Sequence, residues 1–176
     1  MADQGVRLFI SCVSDEFREY RDALRRALTM TNVEVKIQED LKALGGDTLS
    51  TLERYIEQCD AVVHFAGEMA GSTPAASSVE DLLVRRPDVE ARLAKKGVQA
   101  DTLASVSYTQ WEGWLAISFD KDLLIVVPAG SVDRGSTFAP TDESRASQAE
   151  HLERLKAIDY YARPPFTSSD ISPCKS

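Results

Sequence analysis

The sequence predicts an α/β sandwich of the flavodoxin-like type, with a five-stranded, mainly parallel sheet in the order 2-1-3-4-5. Short apolar runs alternate with amphipathic helical segments, which is typical of βαβ units with helices on both faces of a sheet. The chain has 176 residues, enough for one packed core and too few for two comfortable domains. We therefore expect a single domain over residues 1–176, with a core of about residues 6–170.

Four apolar runs and one weaker segment supply the predicted strands. The second run alternates apolar and polar residues as a half-exposed strand does, and the others are rich in β-branched or aromatic residues. Pro128 closes the fourth run, while Pro164 and Pro165 allow only an edge strand. The predicted strands cover residues 6–12, 33–37, 60–66, 123–127 and, at the edge, part of 160–166.

Three segments have the three- and four-residue apolar spacing of a helix that packs on a core. The first follows Ser14, a predicted N-cap, and carries Asp15 and Glu16 in its first turn, where negative charge is favoured. The second covers residues 48–58. The third covers residues 143–157, and its predicted inward face consists of Ala146, Ala149, Leu152, Leu155 and Ile158.

Two segments interrupt this regular alternation. Residues 38–47 form a predicted polar loop in which Gly45-Gly46 marks either a mobile flap or only a tight turn. Residues 68–104 are too long for an ordinary connection and contain weak helical signals around 79–83 and 89–93. We expect this second segment to be an elaboration above the sheet.

The composition limits the classes of partner. A formal net charge of −8 argues against non-specific binding to nucleic acid and against attraction to anionic membranes. No apolar run approaches the roughly 18 residues of a membrane helix, and residues 1–5 lack signal-peptide character. The three cysteines have no metal-ligand spacing. We expect a cytoplasmic protein without a metal or a cofactor, and without nucleic-acid or membrane partners.

The predicted topology nominates a site. Ligands of open α/β sheets bind beyond the carboxyl ends of the strands where the winding reverses, here between the first and third strands. Ser11, Ser14 and Gly67 follow those strands; the serines are candidates for phosphate binding and the glycine for close backbone approach. Simple capping is the alternative for Ser14. Asp40 is either a ligand contact or a solvated loop acid.

Glu112 is the candidate for chemistry, because it lies between Trp111 and Trp114 at the predicted start of a helix that leads into the fourth strand. Its alternative role is structural, since Thr109-x-x-Glu112 has the spacing of a capping box, as does Ser107-x-x-Gln110. Either tryptophan could stack on a flat ring.

The other catalytic classes find little support. His64 lies within a strand and is expected to be a satisfied core residue, whereas His151 is expected on the surface beside acidic residues. Histidines in such different positions do not indicate a serine or cysteine hydrolase. No P-loop or GxGxxG motif follows a strand.

Taken in order, three motifs resemble those of Toll/interleukin-1 receptor (TIR) domains. Leu8-Phe9-Ile10-Ser11 before an acidic helix start resembles their first strand, and residues 38–47 with Gly45-Gly46 resemble the loop after their second strand. Trp111-Glu112 followed by Leu115-Ala116 resembles the helix of TIR domains that cleave NAD. The resemblance is strongest to bacterial modules that precede STAND NTPase or tetratricopeptide regions, which implies the N-terminal piece of a larger protein.

This resemblance implies a signalling or defence domain, of the kind used in bacterial antiphage immunity, that consumes NAD as a substrate when copies self-associate. It implies that Glu112 is catalytic, that Trp111 lies at the substrate, and that Leu44, Gly45 and Gly46 contribute to homo-oligomer contacts. Two alternatives stay open: a non-catalytic TIR-type interaction module, and a nucleotide-binding domain similar to nucleoside deoxyribosyltransferases.

Overall fold

A parallel sheet forms the centre of the protein. The computed structural model describes residues 5–42, 47–130 and 132–167. Within these ranges, four strands pair in the order β2-β1-β3-β4, and every neighbouring pair is parallel. This order agrees with the first four places of the predicted one. The strands are β1 Val6–Ser11, β2 Val33–Ile37, β3 Ala61–Phe65 and β4 Asp122–Val126.

The predicted fifth strand is wrong as a regular element. The chain after residue 160 does run beside β4, where the Arg163 N–H donates to the Ile125 carbonyl at 2.8 Å and the Phe166 N–H donates to that of Val127 at 2.9 Å. Only one isolated bridge, between Pro128 and Phe166, results. A regular parallel strand would place its next donor two residues after Arg163, but that residue is Pro165 and has no N–H.

Helices cover both faces of the sheet. Residues 38–42, predicted as loop, form a short helix, and the long 68–104 segment contains three helices. No helix among the described residues is long and apolar enough to span a membrane. The helices are α1 Ser14–Leu28, α2 Gln38–Lys42, α3 Thr48–Gln58, α4 Ala76–Arg85, α5 Pro87–Lys95, α6 Ala100–Leu103, α7 Tyr108–Ser118 and α8 Asp142–Ala157.

One face of the sheet packs on α1. Ile10 of β1 and Phe65 of β3 meet Phe17 of α1, and Phe166 from the chain beside β4 closes the same cluster. The N-cap of α1 is Val13, which makes no side-chain capping bond, and not Ser14 as predicted. Ser14 is the first helical residue, which leaves its hydroxyl available for contacts outside the helix.

The opposite face carries the larger core, made with α3, α4, α5 and α7. Val79 and Leu82 of α4 and Val89 and Leu93 of α5 are buried in it. The 68–104 segment is therefore an integral layer of the fold rather than an elaboration above the sheet. It has this role because each of its two longer helices has an apolar stripe that must be covered.

The predicted inward face of α8 is confirmed at Leu155, which is buried, and at Leu152 and Ile158, which pack against the core, but it is wrong in the first half of the helix. Ala146 and Ala149 are exposed, whereas Gln148, His151 and Leu155 are the buried residues of this helix. The apolar spacing misled because two alanines offer little surface to bury, so the polar contacts of the neighbouring residues determine which face points inward.

Candidate functional site

The first turn of α7 is joined to the carboxyl ends of the two central strands. Ser11 and His64 are paired in the register of β1 and β3, and the Ser11 Oγ lies 2.8 Å from the His64 Nδ1. The same hydroxyl lies 3.4 Å from the Thr109 carbonyl oxygen of α7. A Cβ on Gly113 would lie 3.6 Å from the His64 Nε2. The helix that carries Glu112 therefore packs directly on the predicted switch point.

Glu112 is almost fully buried, with 1% of its surface exposed. It is the fifth residue of α7 and so lies in the second turn, not the first as expected from the sequence. The N-cap is Ser107, whose Oγ accepts from the Gln110 N–H at 3.2 Å while the Gln110 Oε1 accepts from the Ser107 N–H at 3.1 Å. These two residues complete the capping box without Glu112.

Cys12, the residue directly after β1, lies within electrostatic reach of Glu112. Burial raises the pKa of the Cys12 thiol well above its ordinary value of 9.0, the Arg21 guanidinium opposes the rise, and the Glu112 carboxylate adds to it. The carboxylate therefore lies near the chain segment that leaves the switch point. A thiol in such surroundings stays protonated and is not a nucleophile.

Glu112 is closed off from the surface in this structure, whereas Ser14 and Glu16 line one of the surface cavities. A cavity of about 510 Å³ lies at the opposite, amino edge of the sheet, beside Arg7, Glu34 and Asp60. A second, of about 370 Å³, lies between the start of α1 and residues 133–137, and a third, of about 220 Å³, lies beside Leu41 and Tyr55. Glu112 lines none of these three cavities.

The two histidines of the chain meet in the interior, although His151 was expected on the surface. Their Nε2 atoms are 3.0 Å apart, and each residue is 1% exposed. Burial lowers the pKa of His64 from 6.5 to about 4. Burial, and then the neighbouring His64 and Arg154, lower the pKa of His151 well below its usual value. Both rings are therefore neutral at pH 7.

Glu16, which the sequence analysis considered only as a first-turn acid of α1, extends its carboxylate to the loop after β3. Its carboxylate accepts from the backbone N–H groups of Glu68 at 3.0 Å and Met69 at 2.8 Å. The Arg134 Nε lies 3.4 Å away, and a Cβ on Gly67 would overlap the carboxylate. Gly67 was predicted to let a ligand approach the backbone, but in this structure the group that lies against it is the protein's own Glu16 carboxylate.

Ser14 and Asp40 are engaged in ion-pair networks. The Ser14 Oγ donates to the Glu39 carboxylate and accepts from Arg21, whose Nη1 also lies 2.7 Å from Glu39. Asp40 accepts from the Ile37 N–H at 3.0 Å and pairs with Arg25. These contacts fasten α2 to α1, which is the role that the structure gives to both residues.

The remaining predicted site residues divide into two groups. Trp111 has no exposed surface and belongs to the main core, so its ring is not presented to a crevice. Leu44, Gly45 and Gly46 lie outside the described residues. Among the described residues, no group of three or more His, Cys, Asp or Glu side chains is placed to hold a metal ion.

The profile of one protein family, described as a domain of unknown function (DUF4062), matches residues 7–163. The chain belongs to the DUF4062 family. The matched DUF4062 region begins in β1 and ends after α8, so it contains Ser11, Glu112 and both histidines. No curated protein matches the chain.

Proposed function

We propose that this DUF4062 domain is a TIR-like, cytoplasmic signalling or defence domain that cleaves the nicotinamide–ribose bond of NAD when copies of it associate. The strand order β2-β1-β3-β4 is compatible with the flavodoxin-like arrangement of TIR domains. The proposal rests on one observation above all. A carboxylate, that of Glu112, is buried beside the carboxyl ends of β1 and β3 although the cap of its helix is complete without it.

The cost of burial supports a chemical role for this carboxylate. Moving an ionised group out of water costs several kcal/mol even after the protein has relaxed around it. Because Ser107 and Gln110 cap α7, helix stability does not account for an acid at position 112. The carboxyl ends of central parallel strands are also where α/β folds bind their ligands.

The chemistry suits a single carboxylate. In the proposed reaction the bond between ribose C1′ and the nicotinamide nitrogen breaks, and its electron pair leaves with nicotinamide, which becomes neutral. The ribose turns into an oxocarbenium-like cation, as in glycosidase reactions. Glu112 would stabilise that charge and accept hydrogen bonds from the ribose hydroxyls. Water, or the adenine of the same molecule, then attacks C1′, and the proton released passes to solvent.

In this proposal, self-association gives the substrate access to Glu112. At 1% exposure, Glu112 cannot meet a nucleotide until the chain around it moves. We propose that contacts between copies through residues 38–47 open this region, because α2 directly follows β2, the edge strand that pairs with β1. An isolated copy would then be inactive.

The test measures nicotinamide release by the full chain, free and clustered at high density on beads. Clustered protein is expected to release nicotinamide and Glu112→Gln to lose at least about 100-fold of the rate, as when a charge-stabilising group is removed. Glu53→Gln is the matched control, because Glu53 is a carboxylate with 2% exposure on α3. No release from clustered protein, or an undiminished rate in Glu112→Gln, excludes the proposal.

The same burial favours a second function, a non-catalytic interaction module. Trp111 has no exposed surface and Glu112 has 1%, and a module that acts only by assembly needs no open pocket. In that case Glu112→Gln would leave self-association, measured by light scattering, unchanged, and nicotinamide would not be released under any condition.

A further inference from the structure

Helix α8 turns a polar seam towards the protein interior. The seam consists of Ser144, Ser147, Gln148 and His151, of which Gln148 is 3% and His151 1% exposed. Such residues are costly to bury unless each finds a partner. Their partners therefore explain why α8 lies where it does.

Part of the seam holds α7. The Gln110 Nε2 donates to the Gln148 Oε1 at 2.9 Å and to the Ser147 Oγ at 3.1 Å. One turn further along α7, the Trp114 ring meets the His151 ring edge to face, with centroids 5.5 Å apart at 83°. The first two turns of α7, which include Glu112, are thus fastened to α8 at two levels.

The start of the seam holds the loop after β3. The Ser144 Oγ donates to the Glu68 carbonyl at 2.9 Å and accepts from the Ala70 N–H at 2.7 Å. A single helix face therefore fastens both α7 and the loop that receives Glu16. These are the two parts of the chain between which the proposed site lies.

His151 connects the seam to the sheet through a chain of hydrogen bonds, and its protonation pattern follows from the partners. If Ser11 donates to the Thr109 carbonyl, His64 donates through Nδ1 to Ser11 and accepts through Nε2 from His151. The His151 Nδ1 is then an acceptor. It is buried and has no hydrogen-bond partner among the described residues. In the opposite pattern His64 would donate through Nε2 to His151, and the His151 Nδ1–H would be a buried donor without an acceptor. That arrangement costs more free energy than a buried acceptor without a donor.

We propose that His151 is a positioning residue, whose Nε2–H, through His64 and Ser11, fixes the two turns of α7 that carry Glu112 against the sheet. This inference rests on the proposed function for its catalytic consequence, though not for its effect on α7. Positioning matters to a reaction of this kind because a misplacement of about 1 Å can cost about 100-fold in rate.

The chain of bonds requires both rings to be neutral. A proton added to the His64 Nε2 would set two N–H groups against each other across 3.0 Å, and one added to His151 would bury a charge. The charged or titratable groups on the elements around the two rings include the Cys12 thiol directly after β1, the Glu112 carboxylate of α7 and the Arg154 guanidinium of α8. Arg154 disfavours a proton on His151. Lowering the pH is therefore expected to break this chain of hydrogen bonds and to loosen the first two turns of α7.

The test compares His151→Gln with His151→Asn in the full chain. A glutamine amide can reach the place of Nε2 and donate to His64, whereas an asparagine amide is too short. The Asn variant is expected to lose at least about 10-fold in kcat with KM changed less than about threefold, and the Gln variant to retain most of kcat. Because glutamine does not titrate, His64 alone can then break the chain of bonds in acid, so the acid limb of the Gln variant's pH profile should not move to higher pH. Glu150→Gln, an exposed change on the same helix, is the control.

Hydrogen exchange of the amides of residues 109–113 in the unclustered protein tests the same inference without activity. Exchange should be at least about 10-fold faster in the Asn variant and near wild type in the Gln variant. Unchanged exchange and unchanged kcat in the Asn variant overturn the inference while the proposed function stands. If the wild type cleaves no NAD, the proposed function fails and exchange alone decides whether His151 fixes α7. If the Asn variant does not fold, exchange at residues 109–113 that is faster in the Gln variant than in the wild type overturns it.

Discussion

Gly67→Ala tests the contact between Glu16 and the loop after β3. The added Cβ would overlap the Glu16 carboxylate, so that side chain must leave its place. It would lose the Glu68 N–H at 3.0 Å, the Met69 N–H at 2.8 Å and the Arg134 Nε at 3.4 Å. A hydrogen bond to a charged group contributes about 1.5–3 kcal/mol. We therefore expect the free energy of unfolding to fall by about 3–5 kcal/mol, part of the loss being offset by water.

A double-mutant cycle isolates the cause. In a Glu16→Ala background the carboxylate is absent and the new methyl group has space, so Gly67→Ala should then cost less than about 1 kcal/mol. The expected coupling free energy is about 2–4 kcal/mol, measured by urea unfolding of the four proteins. Gly135→Ala is the control, since a Cβ there meets no atom within 4 Å, and it should change stability by less than about 0.5 kcal/mol.

Two results would refute this reasoning. The first is an equal cost of Gly67→Ala in both backgrounds, which would mean that the methyl group disturbs the backbone and not Glu16. The second is a cost below about 1 kcal/mol in the wild type, which would mean that the carboxylate finds equivalent partners elsewhere.

Three further predictions concern stability. Folding lowers the pKa of His64 from 6.5 to about 4, so the unfolded chain takes up the proton first as the pH falls. The free energy of unfolding should therefore fall by about 3 kcal/mol between about pH 6.5 and pH 4. Chemical unfolding across that range should show a weaker dependence of this free energy on pH in His64→Gln. Ser107→Ala removes the cap of α7 and should cost about 1 kcal/mol in thermal unfolding; no change would contradict the capping box. Arg86→Ala removes one of two arginines paired with the buried Glu53. Because Arg85 stays in place, the cost should be that of a hydrogen bond to a charged group, about 1.5–3 kcal/mol, part of which a second change, Glu53→Gln, should restore.

The regular elements were predictable because their signals are local. Residues 33–37 and 48–58 form β2 and α3 within the predicted bounds, since alternation and three-four spacing reflect which side of a short segment is covered. The fifth strand was not predictable to the same degree. Whether Pro164 and Pro165 leave enough N–H groups to pair with β4 depends on the register between two segments that are far apart in the chain.

The placement of the candidate residues was predicted in part, because the strand order follows from the local signals of the strands and helices. The strand order placed Ser11, Gly67 and the helix of Glu112 near the ends of β1 and β3, as the topology required. The sequence offered one usable hint that was not followed. A histidine inside an apolar strand needs a polar partner, and the chain has only one other histidine, His151.

The order of apolar and polar residues by itself determined an α/β chain with parallel strands. It also indicated Glu112 as the candidate for a chemical role. Only the tertiary structure decided which polar side chains meet. Glu16 binds amides 52 and 53 positions further along the chain, and His64 meets His151 across 87. Such contacts depend on how whole helices are rotated and packed. That rotation is set by the sum of all the contacts of a helix and leaves no local pattern in the sequence.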